Sequence, residues 1–265
     1  KNLQNIDLIF SSSPALNDFY KNQGLKSMLL YHSFDENILS KVNNNTKKDN
    51  IIFCGQTGDT KSAHYKTRFD YLNDLLSHDF PINCHSSEFF ENPNKIISNN
   101  LKQNIRNSLI KLFGNKLKST LRKINIKLKN NKIYNFIEDI NTYENRKKYL
   151  HNFWPNKIFE PLYGIDMYNK LYNCNITLNI HTDILFENCG NYRMFEATGL
   201  GSCLITEYKE NIKDLFEPDN EVVTYKSLEE LKDKLRILDN DKKLCKKISD
   251  QGQKKTLKYH TLSSR

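Results

Sequence analysis

The sequence has no run of the roughly 18 to 20 apolar residues that a membrane-spanning helix requires, and no basic, apolar leader opens it. It has no C-x-x-C pair. The six cysteines, Cys54, Cys84, Cys174, Cys189, Cys203 and Cys245, are scattered, which excludes a zinc site of closely spaced thiolates. Four of them lie beside apolar, strand-like runs, where buried free thiols in a reducing cytoplasm are expected rather than disulfides. Also missing are the G-x-S-x-G elbow, a Walker-type phosphate loop, H-E-x-x-H and G-x-G-x-x-G. No internal repeat is visible. Lys1 stands almost inside a strand-like run, so an upstream part outside this sequence is expected.

What is present is an uneven charge. The chain of 265 residues carries a formal net charge of +9. Residues 95–149 hold 14 Lys and Arg against 3 Asp and Glu, leaving 26 basic and 28 acidic residues elsewhere. Basicity therefore belongs to one segment. There, Leu101, Ile105, Leu109, Leu112, Phe113, Leu117, Leu121, Ile124 and Leu128 recur at helical spacing, with Lys and Arg on the other faces. One or two basic amphipathic helices are expected over 94–131, broken near Gly114, and another over Ile133–Leu150. Such a segment is either a solvated face packed by its apolar stripe or a helix lying on anionic membrane, which would place the protein peripherally on the inner face. Nucleic-acid binding would rest on charge alone and is disfavoured.

Elsewhere strands and helices alternate, the rhythm of an α/β fold. Ile6–Phe10 reads as a buried strand. A helix follows with Ser13 as N-cap, Pro14 at its first position and Gly24 as its stop. Ser27–Tyr31 is a second strand, and the Asn/Lys-rich Val42–Asn50 a linker. Strands over Ile51–Cys54, Pro81–Cys84, Ile176–Ile180, Ser202–Thr206 and Val222–Tyr225 alternate with helices over Tyr65–Ser77, Gly164–Asn173, Asn191–Thr198 and Ser227–Leu238. A closing helix runs from Asp241 to about Tyr259. Ser227 and Glu230 form a capping-box pattern.

The segment Asn191–Thr206 carries the most chemistry. A loop with Gly190 feeds a short helix stopped by Gly199 and Gly201, and a buried strand follows. A helix N-terminus at the carboxyl edge of a parallel sheet offers backbone N–H groups to an anion. Arg193 adds a cation suited to phosphate, and Glu196, one turn on, suits the two hydroxyls of a ribose. The competing reading is an i,i+3 ion pair on the helix surface. Gly55 ends a strand where a ligand would approach the backbone, or simply makes a turn. His181 follows a strand at its carboxyl end. His64 and Arg68, four apart, are expected on one face of a helix start, near Lys61. Asp239-x-Asp241 lies in a polar turn rather than after a strand, so it is not taken as a metal site.

The run Asn191-x-Arg193-x-Phe195-Glu196-Ala-Thr-Gly199-x-Gly201, followed by Leu-Ile-Thr-Glu207, resembles the signature of the CgeB-like (spore maturation protein) glycosyltransferases. Tyr163-Gly164-x-Asp166-Met167-Tyr168 and Leu178-Asn179-Ile180-His181 upstream continue the likeness. So do Leu215-Phe216-Glu217-Pro218, Glu221–Tyr225, Gly252-Gln253 and His260-Thr261…Arg265, so that it spans about Glu160–Arg265. The resemblance implies a GT-B fold: residues 1–45 ending an N-terminal acceptor lobe, and 46–265 forming a Rossmann-like donor lobe with the basic insertion at about 94–150. It implies sugar transfer from a nucleoside-diphosphate sugar to a glycan, lipid-linked or protein acceptor in cell-surface polysaccharide synthesis, with neither cofactor nor metal. Glu196 resembles the ribose-binding glutamate of the E-x7-E motif. Asn188 stands where the first glutamate would, next to Glu187. Asn191, Arg193, His181, Gly55, Arg68, His64 and Lys61 complete the expected donor site, and a catalytic base would come from the upstream lobe.

Overall fold

A computed structural model describes residues 5–43, 49–90, 148–183 and 188–265. The basic helices expected over 94–131 and most of the helix expected over 133–150 lie outside the described residues. Among those described, no helix is long and apolar enough to cross a membrane.

Two parallel sheets form. Strands β1 (Ile9–Ser11) and β2 (Ser27–Leu29) pair in parallel through helix α1 (Pro14–Asn22). The Ser13 hydroxyl accepts from the Leu16 amide, and Pro14 occupies the first turn, where a helix has no use for its missing N–H. Gly24, at φ +74°, lies just past the helix end, a backbone conformation that favours glycine. The buried strand expected over Ile6–Phe10 is corrected in place and in burial: Ile6 and Phe10 are 47% and 59% exposed. Beyond α1, no second layer covers this sheet among the described residues, and Phe19 and Met28 are exposed as well.

The other sheet has six strands, all parallel, in the order β5–β4–β3–β6–β7–β8. They are β3 (Asp49–Cys54), β4 (Ile82–His85), β5 (Ile158–Phe159), β6 (Cys174–Asn179), β7 (Cys203–Glu207) and β8 (Val223–Tyr225). Strand β5, two residues long, carries no periodic signal and is missing from the sequence reading. Because both faces are covered by helices, the strands are near-continuous apolar runs rather than alternating ones. On one face Ile51, Phe53, Ile176, Leu178, Cys203 and Ile205 pack against α2 (Lys66–Ser77), α6 (Leu228–Asn240) and α7 (Lys242–Tyr259). On the other, Ile52, Cys54 and Leu204 pack against α3 (Gly164–Tyr172), α4 (Tyr192–Gly199) and the short α5 (Ile212–Leu215). All six cysteines are free and buried in these layers.

Successive strands grow outward from β3 through β4 to β5, and on the other side from β6 through β7 to β8. The order therefore reverses between β3 and β6. The space outside the carboxyl ends of strands at such a reversal is the usual ligand position in open α/β sheets.

Two helix starts refine the sequence reading. Ser227 caps α6 by accepting from the Glu230 amide at 3.2 Å, but the Glu230 carboxylate takes the Lys226 N–H at 2.8 Å rather than that of Ser227. The capping box is thus only half formed. Asp241 caps α7 through the Leu244 amide and Asp239 pairs with Lys242, so both carboxylates of the D-x-D pattern serve helix ends. The chain end ties the sheets together: Phe34 donates to the His260 carbonyl at 2.8 Å and accepts from the Leu262 amide at 3.0 Å. Its ring fits so closely over α4 that a Cβ on Gly199 would stand 2.5 Å from it.

Candidate functional site

Helix α4 begins at the carboxyl end of β6 and has an unusual start. Its N-cap, Asn191, is of the residue type that normally closes a helix end by accepting a first-turn amide. Here no side-chain cap bond forms. The Asn191 amide faces the sheet instead, donating to Asn179 Oδ1 at 3.0 Å and accepting from Asn179 Nδ2 at 3.4 Å. Of the first-turn N–H groups, that of Met194 donates to the Asn191 carbonyl at 3.2 Å, while those of Tyr192 and Arg193 are left without this cap. The segment after β2 lies against this turn: His32 stacks on Tyr192 with ring centroids 3.7 Å apart. A Cβ on Gly190, whose φ is +131°, would stand 3.1 Å from the Tyr31 ring.

Arg193 and Glu196 meet each other rather than pointing separately outward. Arg193 Nη1 donates to Glu196 Oε2 at 2.8 Å, and the two side chains are 16% and 13% exposed. Arg193 Nη2 lies 3.1 Å from the Met167 sulfur on α3, and its Nε is buried without a partner. The ion-pair reading of the sequence therefore describes this structure, except that the pair is half-buried between helices rather than on a solvated face. Burial pushes the Glu196 carboxyl above the usual carboxylate range, and Arg193 and Tyr168 pull it back.

Arg68 is committed to backbone. From α2 its guanidinium donates to the Ile180 carbonyl through Nε at 3.0 Å and Nη2 at 2.5 Å, and to the Gln56 carbonyl through Nη1 at 2.9 Å. It lies 5.6 Å from the Phe53 ring and 5.3 Å from the Tyr65 ring. It clasps the carboxyl ends of β3 and β6, a positioning task rather than a free phosphate clamp. His64 does not share its helix face: α2 starts at Lys66, so His64 precedes the helix and is exposed while Arg68 is buried. Lys61 is exposed on the same loop. Gly55, at φ +156°, has room for a Cβ, whose nearest neighbour would be 3.6 Å away. Its loop is closed by the chain itself, since the Thr57 and Gly58 amides donate to the Glu88 carboxylate at 3.1 and 3.3 Å.

His181, 2% exposed, stands two residues past β6 at the carboxyl edge of the sheet. Its backbone N–H donates to Glu207 Oε2 at 2.6 Å and its Nε2 lies 3.3 Å from Thr206 Oγ1. Burial, with the Lys209 and Arg68 charges, depresses its pKa to about 3. The ring is neutral. Glu207, at the end of β7, is pushed above its ordinary pKa by burial. Asn179, Thr206, Glu207 and Lys209 were not singled out from the sequence as site residues. For the first three the signal was there: polar side chains interrupting the apolar runs Leu178–His181 and Leu204–Glu207.

A family model described as glycosyl transferase-like matches residues 127–265. No curated protein matches the sequence. In fold the chain is similar to a sucrose-phosphate synthase from Thermosynechococcus elongatus, with a TM-score of 0.57 and 8% identity over 99% of this chain and 56% of that one. It is similar to HepE from Anabaena, solved in complex with UDP and glucose, with a TM-score of 0.57 and 10% identity over 97% of this chain and 60% of that one. A glycosyltransferase from Rickettsia africae gives a TM-score of 0.52 and 11% identity, covering 99% and 62%. The chain thus spans less than two thirds of the length of these structures. At such identities the likeness establishes the fold, a Rossmann-like lobe of the GT-B kind.

Proposed function

The chain belongs to the glycosyl transferase-like family, and from that membership we propose that it is the donor-binding part of an enzyme that moves a sugar from a nucleoside diphosphate to an acceptor. The observation that carries this reading is the start of α4. A helix N-terminus whose natural cap is turned toward the sheet lies beside the strand-order reversal, where its uncapped amides suit a diphosphate. Glu196, steadied by Arg193, is placed one turn along to accept hydrogen bonds from ribose hydroxyls. In this reading Arg193 presets Glu196, and the charge of the departing diphosphate is met by amides and protein cations rather than by a divalent ion. The residues of the Asn191–Glu207 run support a place among the CgeB-like members. Residues 1–45 would close an acceptor lobe, which their exposed apolar side chains favour, and 46–265 would form the donor lobe. The acceptor is a glycan, a lipid-linked glycan or a protein.

The test is a calorimetric screen of UDP-, GDP-, TDP- and CMP-sugars against the folded chain. One nucleotide class should bind, and Glu196→Ala should weaken it by roughly tenfold or more, the worth of a charge-assisted hydrogen bond. Failure of every nucleotide to bind the folded wild-type chain would end the proposal.

A further inference from the structure

The two arginines expected to meet phosphate are engaged elsewhere, Arg193 with Glu196 and Arg68 with the Ile180 and Gln56 carbonyls. A third cation stands at the same edge. Lys209 lies two residues beyond β7 and is half-buried. Among the described residues its ammonium makes no hydrogen bond or ion pair, yet its charge reaches His181, Glu207 and Cys189. The loop that carries it is fastened to the loop entering α4. The Asn211 side chain accepts from the Cys189 amide at 2.8 Å and donates to the Cys189 carbonyl at 3.0 Å. The loop of Lys209 is therefore held against the segment that enters α4.

A buried hydrogen-bond chain adds an independent pointer. Asn191 donates to Asn179 Oδ1, and Asn179 Nδ2 donates to Thr206 Oγ1 at 3.0 Å. The Thr206 hydroxyl accepts there with one of its two lone pairs, and its hydrogen can be directed at His181 Nε2, 3.3 Å away. A neutral imidazole that accepts at Nε2 carries its proton at Nδ1. That Nδ1 is buried and has no partner among the described residues. Buried donors are rarely left unmatched, and such an orphan is a common mark of a site awaiting an acceptor.

We propose that Lys209 and the Nδ1–H of His181 together bind the diphosphate of the sugar donor. Lys209 supplies the cation that the arginines do not, and His181 acts as a neutral donor in the tautomer that a Thr206 hydroxyl donating to Nε2 selects. The inference rests on the donor-site reading above and names which residues of that site meet phosphate oxygen.

The experiment titrates the full chain with inorganic pyrophosphate and, in parallel, with the nucleoside diphosphate and the bare nucleoside of whichever base binds. Lys209→Gln should weaken pyrophosphate and nucleoside diphosphate by roughly tenfold to a hundredfold and leave the nucleoside unchanged, with Lys209→Arg recovering most of the loss. His181→Met should weaken the same two ligands by a smaller factor at an unchanged melting temperature. Nucleotide binding that is indifferent to Lys209→Gln overturns this inference and leaves the donor reading standing. A wild-type chain that binds neither pyrophosphate nor nucleotide overturns both.

Discussion

Along β6, Ile176 and Leu178 are buried among apolar neighbours on one face of the sheet. Asn179 and His181, a few residues on, are just as buried but polar. The same contrast runs along β7, from Cys203 and Leu204 to Thr206 and Glu207. In the interior each side chain gains from leaving water and from close packing. At the carboxyl edge burial works against the side chains: it raises the carboxyls of Glu196 and Glu207 and strips His181 of any charge. Among the described residues it also leaves Arg193 Nε and His181 Nδ1 without partners. An edge that holds its side chains against such costs, where the strand order reverses, is the part of the molecule shaped for something other than folding.

The largest effect should come from the interior. Phe195, fully buried and packed against Phe216 and His260, should cost about 3–5 kcal/mol when changed to alanine, read by urea denaturation. A loss below about 1 kcal/mol would mean that the packed face tolerates voids and that the contrast with the edge is weaker than drawn.

Acid should sharpen the contrast next. The pKa of His181 is held at about 3 and that of His260 at about 4, both chiefly by burial. The unfolded chain, with histidines near 6.5, takes up protons first as pH falls. Stability should therefore be flat above about pH 6.5 and decline below it, by up to about 1.4 kcal/mol per pH unit for each histidine, until the folded pKa is reached. The raised carboxyls of Glu196 and Glu207 act in the opposite sense at the acid end, because their cost to folding fades as they are protonated. His181→Met should remove one histidine's share of the slope, measured by denaturation at a series of pH values. An unchanged slope would mean that His181 is not the buried neutral group described.

Smaller again is Glu196→Ala. It leaves the Arg193 guanidinium without its carboxylate and should lower stability by about 1–3 kcal/mol in the same assay. An effect near zero would place the pair in solvent, as an exposed helix pair would be. Smallest should be His181→Met at neutral pH, within about 1 kcal/mol, because the weak contact it forfeits is offset by removal of an orphaned buried donor. A loss of several kcal/mol would make His181 an ordinary core residue.

The layers were readable because their signals are local. Helical spacing at Phe69, Leu72, Leu75 and Leu76 marks α2, Ser13-Pro14 starts α1, and Asp241 caps α7. Strand β5 escaped notice because two residues have no period, and the N-terminal strand was called buried because an apolar run does not say whether a second layer covers it. In the site, the chain positions of Arg193 and Glu196 were legible but their mutual pairing was left open, since one i,i+3 spacing serves either an ion pair or a ligand. Arg68 was given to phosphate because its carbonyl partners, at positions 56 and 180, are brought together only by the sheet. Lys209 carried no signal: one lysine in Tyr-Lys-Glu looks like any other until β7 and Asn211 set it beside α4.

The most direct test of the donor site is an amide chemical-shift titration of the 15N-labelled chain with the nucleoside diphosphate that binds in the screen. The account predicts that the largest shifts fall on 188–196, 179–183 and 206–211, the start of α4 and the ends of β6 and β7. Shifts concentrated on the solvent face of α7, or spread without a centre at the carboxyl edge, would contradict it.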